Sequence, residues 1–245
     1  SLEEQQILRC EAVTVYRNPI HVEGKTSCSI QLNKEQEEIV QDITAHWNEE
    51  AYRVSLIHGI TGSGKTEIYI ELIAYVIGKG GQAIVLIPEI ALTYQTVMRF
   101  YRRFGERISI IHSRLSLGER YDQFERAKRG EIDVMIGPRS ALFTPFPNLK
   151  IMIIDEEHED AYQSETVPRY HAREVAIQRA MMENAKVILG SATPSLESYY
   201  RAKNGEYHLY TLKKRAKESR LPSVQIVDLR AELRSGNRSV LSVIL

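Results

Sequence analysis

The sequence has few cysteines, no excess of charge of either sign and no long apolar run. Its two cysteines, Cys10 and Cys28, form no CxxC pair and have no histidine cluster near them, so neither a disulfide framework nor a zinc site is expected. Lys plus Arg number 32 and Asp plus Glu number 32, which gives a net charge of zero. Dedicated electrostatic binders of nucleic acid are usually basic, so any such contact here must be local.

Targeting and membrane segments are also missing from the sequence. It shows neither a signal peptide nor an apolar run long enough to cross a bilayer, which predicts a cytoplasmic protein without a membrane partner. The first residue is Ser1 rather than Met, which indicates a piece of a longer protein. The 245 residues, 43% of them hydrophobic, suffice for one large domain with extensions.

Short apolar runs alternate with amphipathic stretches of helical length. The runs are rich in Ile and Val and almost continuously hydrophobic, which is typical of parallel strands covered by helices on both faces. The predicted strands are Val54–His58, Ala83–Ile87, Ile108–Ile111, Val134–Ile136, Ile151–Ile154 and Val187–Leu189. The predicted helices are Lys34–Glu49, Lys65–Gly78, Leu92–Phe104, Leu117–Arg129 and Ala172–Asn184. This alternation predicts an α/β fold with a mostly parallel central sheet and helices on both of its faces.

The two ends of the chain lack this alternation. Residues 1–31 are interpreted as a linker or arm from a preceding domain, and residues 32–200 as the α/β lobe. Residues 201–245 are interpreted as an extension with a short strand at Val224–Val227, ending in the apolar piece Val240–Leu245.

The residues from Gly59 to Thr66 read GITGSGKT and match the phosphate-loop pattern G-x-x-x-x-G-K-[ST]. A predicted strand precedes them and a predicted helix follows, as the pattern requires. Glycines let the backbone fold around an anion, and the helix adds its positive N-terminus. We expect Lys65 to contact the β and γ phosphates and the Thr66 hydroxyl to bind Mg²⁺. The predicted nucleotide-binding residues are Gly59, Thr61, Gly62, Ser63, Gly64, Lys65, Thr66 and Glu67.

A second motif is an apolar strand that ends in acidic residues, Asp155 and Glu156, followed by Glu157 and His158. Ligands bind at the carboxyl ends of strands in open α/β sheets. Asp155 is predicted to hold Mg²⁺, and Glu156 to orient or deprotonate the attacking water. His158 is predicted to couple this loop to the rest of the site. An acidic turn alone is common, but its pairing with an upstream phosphate loop favours a catalytic role.

A third motif, Ser191-Ala192-Thr193, follows another apolar strand. Its two hydroxyl groups are candidates for hydrogen bonds to the acidic loop that relay the nucleotide state. The triplet is nearly uninformative by itself, so its value lies in its order and spacing after the other two motifs.

The three motifs, in this order, resemble the first RecA-like lobe of superfamily 2 helicases, and longer strings resemble the PriA family, also called primosomal protein N′. The strings that carry the resemblance are Gly59–Tyr69, Ile87–Gln95, His112–Tyr121, Ile136–Phe146, Asp155–Tyr162, Pro168–Ala176 and Gly190–Ser198. The resemblance implies a bacterial, ATP- and Mg²⁺-dependent 3′-to-5′ DNA helicase that acts on branched or forked DNA and single strands in replication restart. It also implies a second RecA-like lobe, primosome and helicase-loading proteins and single-strand-binding protein as partners.

The chain departs from the family pattern at two positions. Family members usually carry a lysine after the tyrosine of the acidic motif, where this chain has Gln163 after Tyr162. Pro138 stands where a threonine is usual, and proline has no backbone N–H to donate to a phosphate.

The segment Leu32–Gln36 is similar to the family's adenine-reading segment. The Gln36 amide has the donors and acceptor that the adenine edge requires. The alternative is a helix start in which Asn33 and Gln36 form a capping box, and both roles are compatible.

Loops at the carboxyl ends of other strands are the expected contacts with DNA. Thr93, Gln95, Arg139 and Ser140 are candidates for phosphate contacts, which position a strand without reading its sequence. Tyr162, Tyr170, His171 and Phe143 are candidates for stacking on bases, with ordinary packing as the alternative for each. Arg169 and Arg173 are expected in weak surface ion pairs, and the Arg99–Arg103 cluster on a solvated helix face.

Parts of a complete motor are not found in this sequence. It has no second phosphate-sensing lobe with an arginine finger, and the family's zinc-binding cysteine array is missing, so zinc is expected only elsewhere in a longer protein. The chain alone is therefore expected to bind nucleotide and to hydrolyse it slowly. Two alternatives stay open: another superfamily 2 duplex translocase such as a RecG-like protein, and a non-catalytic docking module.

Overall fold

The computed structural model describes residues 31–216, 226–237 and 239. Several parts of the predicted organisation lie outside the described residues. They are the N-terminal arm up to residue 30 with both cysteines, the apolar piece Val240–Leu245, and the first half of the strand predicted at Val224–Val227. The other half, residues 226–227, belongs to no strand. None of the helices in these described ranges is long and apolar enough to cross a membrane.

Seven strands form one sheet in the spatial order β3-β4-β2-β5-β6-β1-β7, and every recorded pairing is parallel. The strands are β1 (Val54–Gly59), β2 (Gln82–Leu86), β3 (Ile108–Ile110), β4 (Val134–Gly137), β5 (Leu149–Asp155), β6 (Lys186–Ser191) and β7 (His208–Leu212). The helices are α1 (Lys34–Ala45), α2 (Lys65–Gly78), α3 (Tyr94–Phe104), α4 (Leu117–Lys128), α5 (Ala172–Glu183), α6 (Leu196–Lys203) and α7 (Leu229–Arg234). The predicted parallel α/β fold is confirmed.

Two hydrophobic clusters cover the two faces of the sheet. On one face, side chains of α1, α2 and α3 pack on strand residues such as Ile57, Val85 and Ile153. On the other face, α5, α6 and the end of α4 pack on neighbours such as Leu56, Ile84 and Met152. Successive residues of a strand point to opposite faces, so a strand covered on both sides must be apolar throughout. This explains the continuous Ile- and Val-rich runs of the sequence.

Local signals set the starts of several helices. A capping box of Asn33 and Gln36 opens α1, and one of Ser116 and Glu119 opens α4. The Thr93 side chain caps α3 by accepting a hydrogen bond from the backbone N–H of Thr96. The helix predicted from Leu92 therefore begins two residues later, at Tyr94.

The sheet continues beyond residue 200, the predicted end of the lobe. Strand β7, which the sequence analysis did not predict, pairs in parallel with β1 from Ser55↔His208 to Gly59↔Leu212. Its pattern is only partly apolar, since β7 is an edge strand with exposed and half-buried positions. The chain then returns to the phosphate loop, where the Ala216 N–H donates to the Gly62 carbonyl at 2.9 Å.

Candidate nucleotide-binding site

The phosphate loop lies between the carboxyl end of β1, which neighbours the edge strand β7, and the first turn of α2. Gly62 and Gly64 have positive φ angles of 78° and 84°, a conformation that side-chain-bearing residues rarely adopt. A Cβ atom on Gly64 would also lie 2.1 Å from Gln36 Nε2, so the loop needs glycine there for space as well. The pocket that it borders has a volume of about 560 Å³, within the usual range for ligand sites.

The loop and the acidic strand end face each other across this pocket. Lys65 Nζ lies 3.8 Å from Glu156 Oε1 and donates to the Gly59 carbonyl at 3.0 Å, and the side chain is only 8% exposed. The pocket lining includes Thr66 and Asp155 as well. The structure therefore brings together the residues predicted to bind the phosphates and the metal. They are far apart in the sequence, because Lys65 and Thr66 follow β1 whereas Asp155 and Glu156 lie at the end of β5.

Asp155 is held in a largely desolvated position at the end of β5. The Tyr69 hydroxyl, on α2, donates to Asp155 Oδ1 at 3.1 Å. Burial, and secondarily the charge of Glu156, raises the pKa of the Asp155 carboxyl, whereas Lys65 lowers it. A half-buried carboxylate in a pocket that Thr66 also lines fits Mg²⁺, which proteins usually bind through one or two carboxylates and the phosphates of the nucleotide.

Gly190 makes room for the Tyr69 hydroxyl. A Cβ atom at position 190 would lie 1.6 Å from that oxygen, so no other residue fits without moving the tyrosine. Tyr69 and Gly190 were not predicted as site residues. Tyr69 lies three residues after Thr66 on the same helix, and only the tertiary structure shows that it reaches Asp155, the carboxylate predicted to hold Mg²⁺.

The predicted coupling residues form one hydrogen-bonded group. His158 Nδ1 lies 2.7 Å from Ser191 Oγ and 3.7 Å from Glu156 Oε2, and His158 Nε2 lies 3.4 Å from Thr193 Oγ1. Glu156 has a positive φ angle of 47°, which turns the chain sharply after β5 and directs the loop towards β6. The arrangement connects the predicted catalytic carboxylate to the Ser-Ala-Thr motif through one imidazole ring.

A buried ion pair that the sequence analysis missed joins the same two loops to α5. The Glu157 carboxylate, completely buried, accepts from the Ser195 N–H at 2.7 Å, from the Ser198 hydroxyl at 2.9 Å and from Arg173 Nη1 at 3.3 Å. Arg173 was expected in a weak surface ion pair, and that prediction is wrong because its side chain is only 8% exposed. The mixed polar sequence around position 173 carries no signal for this burial.

Gln36 is the predicted adenine-reading residue. Its capping role is confirmed: its side-chain oxygen accepts from the Asn33 N–H at 2.8 Å. Its amide nitrogen donates to the Ser63 carbonyl at 2.9 Å and to the Gly64 carbonyl at 3.4 Å, and the residue is buried. The adenine contact stays a prediction, and in this conformation the Gln36 amide supports the phosphate loop.

Tyr162 is buried, so the prediction that it stacks on a base is wrong. Its hydroxyl donates to the Leu86 carbonyl at 3.0 Å and to the Asp155 carbonyl at 2.6 Å. The alternative given for each aromatic residue, ordinary packing, therefore holds for Tyr162, whose ring belongs to the hydrophobic core. Tyr170 and Phe143 differ: they meet edge to face with centroids 5.5 Å apart, and Phe143 is exposed.

The other predicted DNA-contacting residues lie near the same edge of the sheet. Thr93 and Gln95, at the start of α3, are exposed, and Arg139 and Ser140 are half-buried in the turn after β4. The Arg139 guanidinium donates to the carbonyl groups of Ala161 and Gln163 and so holds the loop that carries Tyr162. DNA contact by these residues stays a prediction.

Comparison with known proteins gives a consistent result. Residues 33–202 match the DEAD/DEAH box helicase family. The chain is 48% identical over 244 residues to replication restart protein PriA of Bacillus subtilis, covering 99% of this chain and 30% of that protein. It is also 48% identical over 198 residues to PriA of Synechocystis, covering 79% of this chain and 24% of that protein. The chain thus spans about three tenths or less of the length of these curated relatives.

Solved structures share the fold at low sequence identity. RecG bound to a three-way DNA junction has a TM-score of 0.55 and 23% identity, with 76% of this chain and 24% of RecG covered. The helicase MrfA bound to DNA and AMPPNP has a TM-score of 0.53 and 18% identity, with 77% of this chain and 28% of that chain covered.

Proposed function

This chain belongs to the DEAD/DEAH box helicase family. Because it is also 48% identical to PriA proteins of two bacteria, we propose that it is the ATP-binding lobe of a replication-restart DNA helicase. The reaction is ATP hydrolysis coupled to 3′-to-5′ movement on DNA at branched or forked sites. The observation that carries the proposal is the approach of Lys65 Nζ to Glu156 Oε1, 3.8 Å across one pocket that Thr66 and Asp155 also line.

Each of these residues has a distinct role in the proposed reaction. The backbone N–H groups of the loop and the ammonium of Lys65 bind the phosphates, and Lys65 exchanges its contact with the Gly59 carbonyl for a phosphate oxygen. Thr66 and Asp155 would hold Mg²⁺, which would neutralise charge on the phosphates. Glu156 orients the attacking water and accepts its proton.

His158 relays the state of the site to β6. Its ring contacts both Ser191 and Thr193, so a movement of Glu156 on nucleotide binding or hydrolysis changes the hydrogen bonds of the Ser-Ala-Thr motif. That motif starts the loop to α6, and the same loop holds Ser195 against Glu157. Coupling therefore passes through side chains that the structure places in direct contact.

DNA is the proposed nucleic-acid partner. The exposed residues Thr93, Gln95 and Phe143 and the half-buried Tyr170 follow strands β2, β4 and β5, at the carboxyl edge that also carries the nucleotide pocket. A neutral chain binds a phosphate backbone through such local contacts rather than through an overall field.

The remaining parts of the machine are proposed by similarity to the relatives. The unit described by residues 31–216 works with a second RecA-like lobe that supplies an arginine finger, and zinc binds in a part of the longer protein that this chain does not include. Primosome and helicase-loading proteins and single-strand-binding protein are the proposed protein partners.

A nucleotide titration tests the proposal against a non-catalytic docking module. We expect Mg²⁺-dependent binding of ATP by the wild-type chain, and a loss of about tenfold or more in Lys65→Ala, since a charge-assisted contact to phosphate contributes about 1.5–3 kcal/mol. Lys79→Ala is the matched control, because Lys79 caps the opposite end of α2. Equal ATP affinity of wild type and Lys65→Ala, or no binding by either, would support the docking module instead.

A further inference from the structure

A second cation, Arg99, lines the phosphate pocket from α3. The Arg99–Arg103 cluster was expected on a solvated helix face, and Arg99 and Arg103 are exposed as expected, but each also forms an ion pair with α2. Arg99 Nη2 is in direct contact with Glu67 Oε1, and Arg103 Nη2 lies 3.6 Å from Glu71 Oε1. The two ion pairs lie one helical turn apart and join α3 to the first turns of α2.

Only the first of these ion pairs borders the nucleotide pocket. The pocket lining includes Glu67 and Arg99 together with Asp155 and Glu156, whereas Glu71 and Arg103 lie outside it. The Arg99 side chain is 48% exposed, and a guanidinium group carries five N–H donors. A contact with one carboxylate oxygen therefore leaves donors for a second anion.

The charges of the pocket favour such a contact. Three carboxylates, those of Glu67, Asp155 and Glu156, border a space that would hold a polyanion. Glu67 Oε2 is buried and has no hydrogen-bond partner among the described residues, so this carboxylate is incompletely compensated. A nucleotide that shares the Arg99 guanidinium with Glu67 reduces the repulsion between its phosphates and the carboxylates.

The order of strands shows which end of the nucleotide Arg99 approaches. Helix α3 follows β2, which neighbours β5 and its acidic end, whereas Arg215 and Gln36 approach the loop from the opposite side, next to β7 and α1. In the proposed function the reacting phosphate lies beside Glu156, at the end of β5. Arg99 is therefore on the side of the reacting phosphate.

We propose that Arg99 contacts the terminal phosphate of the bound triphosphate, and that Glu67 holds the guanidinium in position before the nucleotide arrives. The inference rests on the proposed function of the pocket and adds a residue that distinguishes a triphosphate from a diphosphate. Arg–phosphate contacts suit this task, because the planar guanidinium binds two oxygens of one phosphate.

The test compares the affinities for Mg²⁺–AMPPNP and for Mg²⁺–ADP, measured by calorimetry on the whole chain. Arg99→Gln is expected to weaken AMPPNP binding by about tenfold or more and ADP binding by less than about threefold. Arg99→Lys keeps the charge and is expected to recover part of the loss. Arg103→Gln is the matched control, since it removes the neighbouring ion pair without touching the pocket, and both affinities should stay within about twofold of wild type.

The double variant Glu67→Gln/Arg99→Gln decides whether Arg99 does more than neutralise Glu67. A persistent loss of AMPPNP affinity in the double variant supports the phosphate contact. Two results would overturn it. One is that Arg99→Gln lowers the affinities for AMPPNP and ADP equally and the double variant restores both. The other is that Arg99→Gln and Arg103→Gln have the same affinities. Failure of wild type to bind either nucleotide would instead count against the proposed function itself.

Discussion

The hydroxyl group of Tyr69 donates a hydrogen bond to Asp155 Oδ1 at 3.1 Å, across 86 positions of the sequence. This contact ties the helix that follows the phosphate loop to the carboxylate proposed to hold Mg²⁺. It exists because β1 and β5 lie on the two sides of β6 in the sheet, and because Gly190 on β6 leaves the tyrosine oxygen its space.

Removing the Tyr69 hydroxyl should weaken metal-dependent nucleotide binding. Tyr69→Phe keeps the ring in the core but leaves Asp155 without its donor, so we expect a loss of about threefold to tenfold in Mg²⁺–ATP affinity. Nucleotide binding without Mg²⁺ should change little. Calorimetric titrations with and without the metal measure both, and an equal loss in the two conditions would point to a general disturbance of the loop.

Gly190→Ala tests the same contact by steric means. The added Cβ would lie 1.6 Å from the Tyr69 oxygen, so we expect a loss of about 1–3 kcal/mol in the free energy of unfolding. Combining it with Tyr69→Phe should recover part of this loss. Urea denaturation measures it, and additive losses in the double variant would contradict the steric explanation.

Asp155→Asn should stabilise the nucleotide-free protein and abolish hydrolysis. Burial raises the pKa of the folded Asp155 carboxyl, so stability is lost as the pH rises from the usual aspartate pKa through the folded-state pKa, and the amide avoids this cost. At neutral pH we expect a gain of about 1 kcal/mol, which corresponds to roughly 2–4 °C in Tm. The gain should shrink as the pH falls towards the usual pKa of aspartate, and thermal unfolding at several pH values checks this. A lower Tm in the variant at neutral pH would contradict the explanation.

Glu157→Gln should be strongly destabilising because it removes the buried carboxylate of the Arg173 ion pair and leaves only the partly exposed Glu174 beside the guanidinium. A loss of about 3–5 kcal/mol in the free energy of unfolding is expected for a broken buried ion pair. Glu174→Gln is the matched control: Glu174 also contacts Arg173, at 3.1 Å, but its side chain is 45% exposed, so less than about 1 kcal/mol should be lost. Equal losses would show that burial does not decide the effect.

Variants of the two tyrosines should affect different properties: variants of Tyr162 should change stability, and variants of Tyr170 should change DNA binding. Tyr162→Phe removes hydrogen bonds to two buried carbonyl groups and should cost about 1–3 kcal/mol of stability, with unchanged affinity for single-stranded DNA. Tyr170→Ala should weaken DNA binding by about 1–3 kcal/mol if its ring stacks on a base. Fluorescence anisotropy with a labelled oligonucleotide measures the affinity, and unchanged binding by Tyr170→Ala would remove it from the DNA-contacting set.

Lys186 should make the free energy of unfolding depend on pH in the alkaline range. Its ammonium donates to the carbonyl groups of residues 46, 49 and 52, and burial, together with the charge of Arg53, lowers its pKa from 10.5 to about 8. Between these values the unfolded chain holds a proton that the folded protein has released, so the stability of wild type should rise with pH relative to Lys186→Met. Urea denaturation at about pH 7.5 and about pH 9.5 tests the sign. A wild-type advantage that falls with pH would contradict the lowered pKa.

Much of the fold follows from local patterns. Six of the strands and the long helices were predicted close to their observed bounds, because a strand covered on both faces must be apolar and helix caps depend on neighbouring residues. Strand β7 was missed, since an edge position tolerates half-exposed and polar residues such as His208 and Thr211. Its pairing depends on β1, a segment about 150 residues away that no local pattern reveals.

The sequence by itself determined the chemistry of the site: a glycine-rich loop with Lys65 and Thr66, and acids at the end of a strand. Only the tertiary structure decided which side chains support that chemistry. Tyr162 is buried and so cannot stack on DNA, and Arg173 is buried rather than on the surface. The packing of α3 places Arg99 at the phosphate pocket. The physical reason is that a motif records the groups a reaction needs at fixed local spacing, whereas the partner of each group is set by how distant strands and helices pack.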